Sequence, residues 1–200
     1  MPLTPLQIAE HNRHYEAGWK LLYPYLILHG RRQIVPGWFG RWRLKRAAQH
    51  FRSALALAPD SWPAMWGLGK LHQRLEEHAD ALRWLRQAVQ INPDHPDVLR
   101  EAGIEASEVG DHRYAAEVFA RAIAVDPEDP GHHANLAVAL LNCGSVLEAE
   151  KSISRALALA PDDSISQAVA ERIRVAGQVV ASEADRAIPR EQAPPNPGPQ

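Results

Sequence analysis

Apolar residues in this chain return at intervals of three and four, in paired stripes separated by short polar breaks. Between residues 96 and 125, Leu99, Ala102, Gly103 and Ala106 form one stripe and Ala115, Phe119, Ala122 and Ile123 form a second. Spacing of this kind predicts two amphipathic helices. Gly110 stands in the break between them, and Gly144 stands in the corresponding break of the next pair. Both are placed to supply the left-handed residue that closes a helix. The second stripe of each pair runs into a proline. These prolines are Pro59, Pro93, Pro127 and Pro161, at a constant period of 34. The heptapeptide ALALAPD occurs at 54–60 and again at 156–162, with AVQINPD at 88–94 and AIAVDPE at 122–128 between them. A fixed period of this length predicts a repeat architecture.

With proline at position 32 of each unit, three full units follow: Trp62–His95, Pro96–Asp129 and Pro130–Asp163. Position 8 is Gly69, Gly103 and Ala137, position 20 is Ala81, Ala115 and Ala149, and position 27 is Ala88, Ala122 and Ala156. Position 24 is large: Leu85, Phe119 and Ile153. Small residues therefore recur where two helices would cross closely, and large ones where a knob would fill a hole. Pro96 and Pro130 suit the first helical turn, and Asp129 suits an N-cap. Each unit reads helix, turn, helix, short turn. The period of 34, the small residue at 8, the alanines at 20 and 27 and the proline at 32 resemble the tetratricopeptide repeat over about residues 43–163. The resemblance implies an all-α fold, a right-handed α-solenoid of helix-turn-helix repeats.

The ends depart from the pattern. Ala47, Phe51 and Ala54 match positions 20, 24 and 27 of an earlier second helix, and Ala17-Gly18 match positions 7 and 8 of a first helix around Glu10–Tyr25. The interval from Gly18 to Ala47 is more than twice that from Gly69 to Ala81 or from Gly103 to Ala115 in the regular units. Residues 1–61 thus read as an interrupted first repeat holding a basic and aromatic insertion at about 26–41. The alternative is a separate packing helix over 1–30 followed by half a repeat. After the units at 62–95, 96–129 and 130–163, residues 164–184 keep helical spacing with more charge, as a capping helix needs. Residues 185–200 are rich in proline and read as a disordered tail.

The net charge is −2 over 200 residues, which argues against a uniformly basic nucleic-acid binder. It is unevenly spread: residues 1–60 carry nine Lys/Arg against three Asp/Glu, and residues 61–200 carry thirteen against twenty-one. A single cysteine, Cys143, can form no internal disulfide. With no signal-peptide pattern at the start, a cytoplasmic location is expected. The most apolar stretch, Trp19–Leu28, contains Lys20 and Pro24 and is too short to span a bilayer. Integral membrane insertion is not expected.

The resemblance implies that positions 2, 5, 9, 12 and 13 line a concave groove. The candidates are Trp66, Lys70 and Arg74 in the first full unit, Arg100 and Ile104 in the second, and Asn135, Val138 and Asn142 in the third. Such a groove grades from aromatic and basic, through mixed charge, to apolar. It suits another protein, offered as an extended peptide or helix with acidic and apolar anchors. The function expected is a non-catalytic adaptor, assembly factor or co-chaperone, or else a small secretion chaperone of the same repeat type. Trp66 is the candidate hot spot, against a competing reading as a core residue packed on Trp62. Family members that clamp the C-terminal carboxylate of heat-shock chaperones need lysine and asparagine at set positions. Here those positions hold Trp66, Lys70, Glu101, Gly131 and Asn135, so only basic character is shared. A second candidate surface is the insertion, with Arg31, Arg32, Trp38, Phe39, Arg41 and Trp42. It would bind a protein, a nucleic acid or an anionic lipid, or its rings would plug the open end of the solenoid. Homo-oligomerisation stays open.

Chemistry is sparse. GLGK at 67–70 lacks the flanking glycine and hydroxyl of a phosphate loop and lies in a helical pattern. His11 and His14 lie one turn apart, and His132 and His133 are adjacent, without ligands at metal-binding spacing. No cofactor, metal or catalytic constellation is expected.

Overall fold

The computed structural model describes residues 3–26 and 36–187. Nine α-helices appear among them: α1 Pro5–Leu22, α2 Trp38–Leu57, α3 Trp62–Arg74, α4 His78–Ile91, α5 Pro96–Glu108, α6 His112–Val125, α7 Pro130–Asn142, α8 Val146–Leu159 and α9 Ser164–Ala187. A short 3₁₀ turn, Tyr23–Tyr25, follows α1. No strand occurs among the described residues. Each helix packs chiefly on its chain neighbours, so the fold is a row of hairpins. Helices α3, α5 and α7 begin at Trp62, Pro96 and Pro130, one sequence period apart, and α4, α6 and α8 keep the same period from His78 to His112 to Val146.

Local chemistry makes the regularity. Three hairpin turns use one device. The N–H groups of Glu77, Asp111 and Ser145 donate to the carbonyls of His72, Ala106 and Leu140 at 3.0, 2.8 and 2.9 Å. The residue just before each of these donors is left-handed: Gly110 and Gly144 at φ 83° and 80°, and Glu76 at 61°. This is the closure that a glycine makes at no steric cost. The corners between hairpins are equally alike. Ala58, Asn92, Asp126 and Ala160 precede the four prolines, with φ between −126° and −137° and ψ between 80° and 89°. Proline excludes helical backbone from the residue before it, so each second helix stops there.

Packing within each hairpin pairs a small residue with a large one. A Cβ on Gly103 would fall 2.5 Å from the Phe119 ring, and one on Gly69 would fall 2.6 Å from Leu85. In α1 and α2 the same pairing recurs, with Gly18 against Phe51 at 2.8 Å. In the third unit Ala137 meets the smaller Ile153 within one cluster. The core is therefore graded. Around α1–α3 it holds Leu22, Leu44, Phe51, Leu68 and Leu71, all sealed from solvent. Around α7–α9 it is mostly alanine, with Ile153, Val169 and Ile173. A buried leucine or phenylalanine contributes about 1.5–3 kcal/mol, several times an alanine.

Trp38–Arg41, the last part of the segment read as inserted, form the first turn of α2, which runs 20 residues where α4, α6 and α8 run 14. The physical reason is that Gly40 tucks against Tyr25 and Pro36 while Leu44 is sealed in the core, so the helical stripe continues past the usual start. The rest of the extra segment, with Arg31 and Arg32, lies outside the described residues. The first helix also starts earlier than expected, at Pro5. There the Thr4 hydroxyl accepts from the Gln7 N–H and the Gln7 side-chain Oε1 accepts from the Thr4 N–H, a reciprocal capping box. Helix α9 begins at Ser164, where the Asp163 carboxylate accepts from the N–H and hydroxyl of Ser166. It runs past 184 to Ala187; the proline-rich tail from 188 lies outside the described residues.

Candidate functional site

The first helices of successive hairpins, α1, α3 and α5, line a shared groove of about 560 Å³. Trp66, Lys70 and Arg74 reach it from α3, Arg100 and Ile104 from α5, and Trp19 from α1. These positions share a face because they recur at helical spacing on helices that the repeat period sets side by side.

Trp66 has an aromatic surround. Its ring lies 5.6 Å from Trp19 in an edge-on arrangement, 6.4 Å from Trp62 and 5.8 Å from His95. It is half-buried, so it is both a packing residue and a wall of the groove. The Nε1 atom of Trp66 is buried without a hydrogen-bond partner.

Beneath the rings lies a polar network that spacing did not reveal. The Lys70 Nζ donates to Glu101 at 2.7 Å, and the Gln73 amide donates to Glu101 at 2.7 Å and to Glu105 at 3.0 Å. His78 Nδ1 sits 2.9 Å from the second oxygen of Glu105. Glu101 and Glu105 are only 8% and 3% exposed, so every contact they make matters. At the rim Arg100 pairs with Asp97 at 3.1 Å. Burial lowers the pKa of the Arg74 guanidinium, with Glu76 opposing the shift. The mixed charge of the second unit therefore reaches back over the basic positions of the first. Lys70, Arg74 and Arg100 are matched by Asp97, Glu101 and Glu105, so charge there is balanced rather than positive. One sequence signal was available: Glu101 and Glu105 are one helical turn apart on α5, facing the α3 turn that carries Lys70 and Gln73.

The other groove candidates lie on α7, beyond the residues that line this depression. Val138 packs against the core of α7–α9. Asn142 is exposed at the end of α7, beside Leu141, Glu171 and Val175, in a separate depression against α9. Asn135 is half-buried on α7. Helix α7 packs directly on α5 on one side and on α8 and α9 on the other.

At the start of α2, Trp38, Phe39 and Trp42 are 75%, 73% and 53% exposed. They do not plug the solenoid. That role falls to Trp19, Leu22 and Tyr15, packed on Phe51 and Leu44. Trp38 and Phe39 meet edge to face at 4.5 Å, and the Arg46 guanidinium lies over Trp42 at 5.7 Å. Arg41, Lys45 and Arg46 are exposed beside them.

Four of the described histidines make contacts that join helices or turns. His14 meets His50 across α1 and α2 at 3.1 Å, His11 meets the Ser61 hydroxyl at 3.0 Å, and His133 donates to the Pro127 carbonyl at 2.8 Å. Among the described residues, two clusters hold three ligand atoms within 4.8 Å of one another: His72, Glu77 and Asp80, and Asp126, Asp129 and His132. In the first, His72 Nδ1 is already engaged by Glu77 at 2.6 Å, and in both the acids cap or open helices. No described helix is long and apolar enough to cross a membrane.

Comparison with known proteins agrees with the hairpin geometry. Two family models, both described as tetratricopeptide repeat, match residues 43–100 and 100–164. A curated relative, the cell division cycle protein 27 homolog of Caenorhabditis elegans, is 38% identical over 80 residues, which is 40% of this chain and 9% of that much longer protein. Among solved structures, MamA is similar with a TM-score of 0.65 at 13% identity, covering 92% of this chain and 97% of that one. YrrB, described as a tetratricopeptide protein with an unusual peptide-binding site, has a TM-score of 0.62 at 19% identity and covers 72% of this chain and 71% of its own. At these identities the solved structures speak for the fold alone. On the matched repeats and their geometry, this chain belongs to the tetratricopeptide repeat family.

Proposed function

We propose that this chain is a non-catalytic interaction module that holds a peptide or helical segment of another protein in the groove of α1, α3 and α5. The observation that carries this reading is the groove itself, with Trp66, Trp19 and Ile104 as apolar wall over a satisfied polar floor. A cleft with aromatic anchors and a balanced charge set selects by apolar fit more than by charge. The ligand is a segment with one large apolar anchor. A clamp for a chain-terminal carboxylate is disfavoured, because Glu101 and Glu105 stand in the floor and repel it. YrrB, a repeat protein of similar fold with an unusual peptide-binding site, is consistent with this reading. Adaptor, assembly-factor and co-chaperone roles share this mode.

The test is selection of peptides from a random phage-displayed library on the full chain. Selected peptides should share an aromatic or aliphatic anchor. They should bind Trp66→Ala and Ile104→Asp at least about tenfold more weakly, while both variants keep wild-type helicity. A library that yields no enriched peptide, or peptides that bind both variants as tightly as the parent, overturns the reading.

A further inference from the structure

Between Glu16 and Asp60 the chain has no carboxylate, yet it carries eight Lys/Arg residues. Five of them lie on α2: Arg41, Arg43, Lys45, Arg46 and Arg52. Helix α2 also opens without an acidic residue in its first turn, and Gly37 offers no side-chain cap, so the positive end of its dipole adds to the same sign. Buried residues Gly40, Leu44, Ala47 and Phe51 define the inward face of α2. Trp38, Phe39, Arg41, Trp42, Lys45 and Arg46 are left on the outer side, all exposed. Close approach of Tyr25 to Gly40 sets the 3₁₀ turn beside them and brings the exposed Tyr23 to the same end of the α1–α2 hairpin.

We propose that this end of the molecule is a peripheral docking surface for an anionic phospholipid membrane. Projecting aromatic rings ringed by guanidinium and ammonium groups match the headgroup zone, where rings settle at the polar–apolar boundary and cations meet phosphate and carboxylate. Geometry favours a membrane over other polyanions. Trp38 and Phe39 pack edge to face against each other, and Arg46 covers Trp42, so these rings do not form a run of open faces on which nucleotide bases could stack. An acidic peptide would need a cleft, and rings three-quarters open to solvent project rather than enclose. Charge distribution also fixes the orientation. Residues 61–200 hold thirteen Lys/Arg against twenty-one Asp/Glu, so an anionic surface attracts the α1–α2 end and repels the remainder. The groove of α1, α3 and α5 contains none of these six residues, so a docked molecule keeps it open.

Flotation of the full chain with vesicles tests this. The chain should float with vesicles containing phosphatidylserine and stay behind with pure phosphatidylcholine, and added salt should weaken the association. Replacing Arg41, Lys45 and Arg46 by glutamine should lower partitioning roughly a hundredfold, about fivefold per side chain. The triple variant Trp38→Ser, Phe39→Ser, Trp42→Ser should lose about tenfold or more. All six side chains are exposed, so both variants should keep wild-type helicity, and Trp66→Ala should float like the parent. Failure to float with phosphatidylserine vesicles overturns the proposal, as does flotation that survives both triple variants. A labelled single-stranded oligonucleotide or polyglutamate that binds this surface when vesicles do not would reassign it to nucleic acid or to an acidic protein.

Discussion

Gly103 shows how one missing carbon can fix a helix crossing. A Cβ there would lie 2.5 Å from the Phe119 ring, and Phe119 is itself sealed in the core. Neither partner has room to yield, because Phe119 packs with Leu82, Ala106, Ala115 and Ala139. Gly103→Ala is therefore expected to cost about 1–3 kcal/mol through overpacking, despite the better helix propensity of alanine. Adding Phe119→Ile should recover part of that loss, since Ala137 meets Ile153 at the same two positions in the next hairpin. Urea titrations of the single and double variants would show it, and a Gly103→Ala chain as stable as the parent would refute the packing argument. Residues of this kind were legible in the sequence because position 8 and position 24 vary together. Glu76 was not. It takes the left-handed turn position that glycine holds at 110 and 144, and its hydrogen-bond pattern is the same. The turn is set by the helix end and tolerates the strain of a side chain, so composition alone concealed the equivalence.

At the scale of elements, the repeated hairpins could be read because prolines and turn glycines act through their own backbone. What depends on a neighbour could not. The pairing of Glu101 and Glu105 with Lys70 and Gln73, and the turn of helix that α2 gains from Trp38, exist only once helices are set side by side. The α1–α2 contact adds a pH dependence of the same origin. His50 faces His14 at 3.1 Å, with Arg46 nearby. Burial, then His14 and Arg46, lower the His50 pKa below its ordinary value near 6.5. Above about pH 6.5 both folded and unfolded chains hold His50 neutral, and it contributes no slope. Below that, the unfolded chain takes up the proton first, so stability falls as pH falls. The thermal midpoint should drop more between pH 7.5 and 5.5 for the parent than for His50→Gln, whose amide keeps a partner for His14 without titrating. Equal drops would rule the pair out as the source.

Across the whole molecule, stability follows the grading of the core. Solenoids behave as a row of units coupled only to neighbours, so a weak end can open while a strong end holds. The strong end here is α1–α4, with Phe51, Leu22, Leu44, Leu68 and Leu71 fully buried and Trp19 and Trp66 packed over them. The weak end is α7–α9, where alanines supply most of the seam and Ile165, Val175 and Val179 stay exposed. Chance gives a clean probe of this difference, because all six tryptophans lie at or before residue 84. Tryptophan fluorescence therefore reports on α1–α4, whereas far-ultraviolet circular dichroism reports on every helix. In urea the ellipticity should begin to fall at lower denaturant than the fluorescence changes, as α7–α9 melt ahead of the aromatic end. Superimposable transitions would mean that the hairpins unfold as one unit. The interfaces between repeats would then be strong enough to cancel the grading of the core. If the two curves do separate, Ile153→Ala should widen the gap by weakening the alanine-rich end, whereas Leu68→Ala should narrow it by weakening the aromatic one.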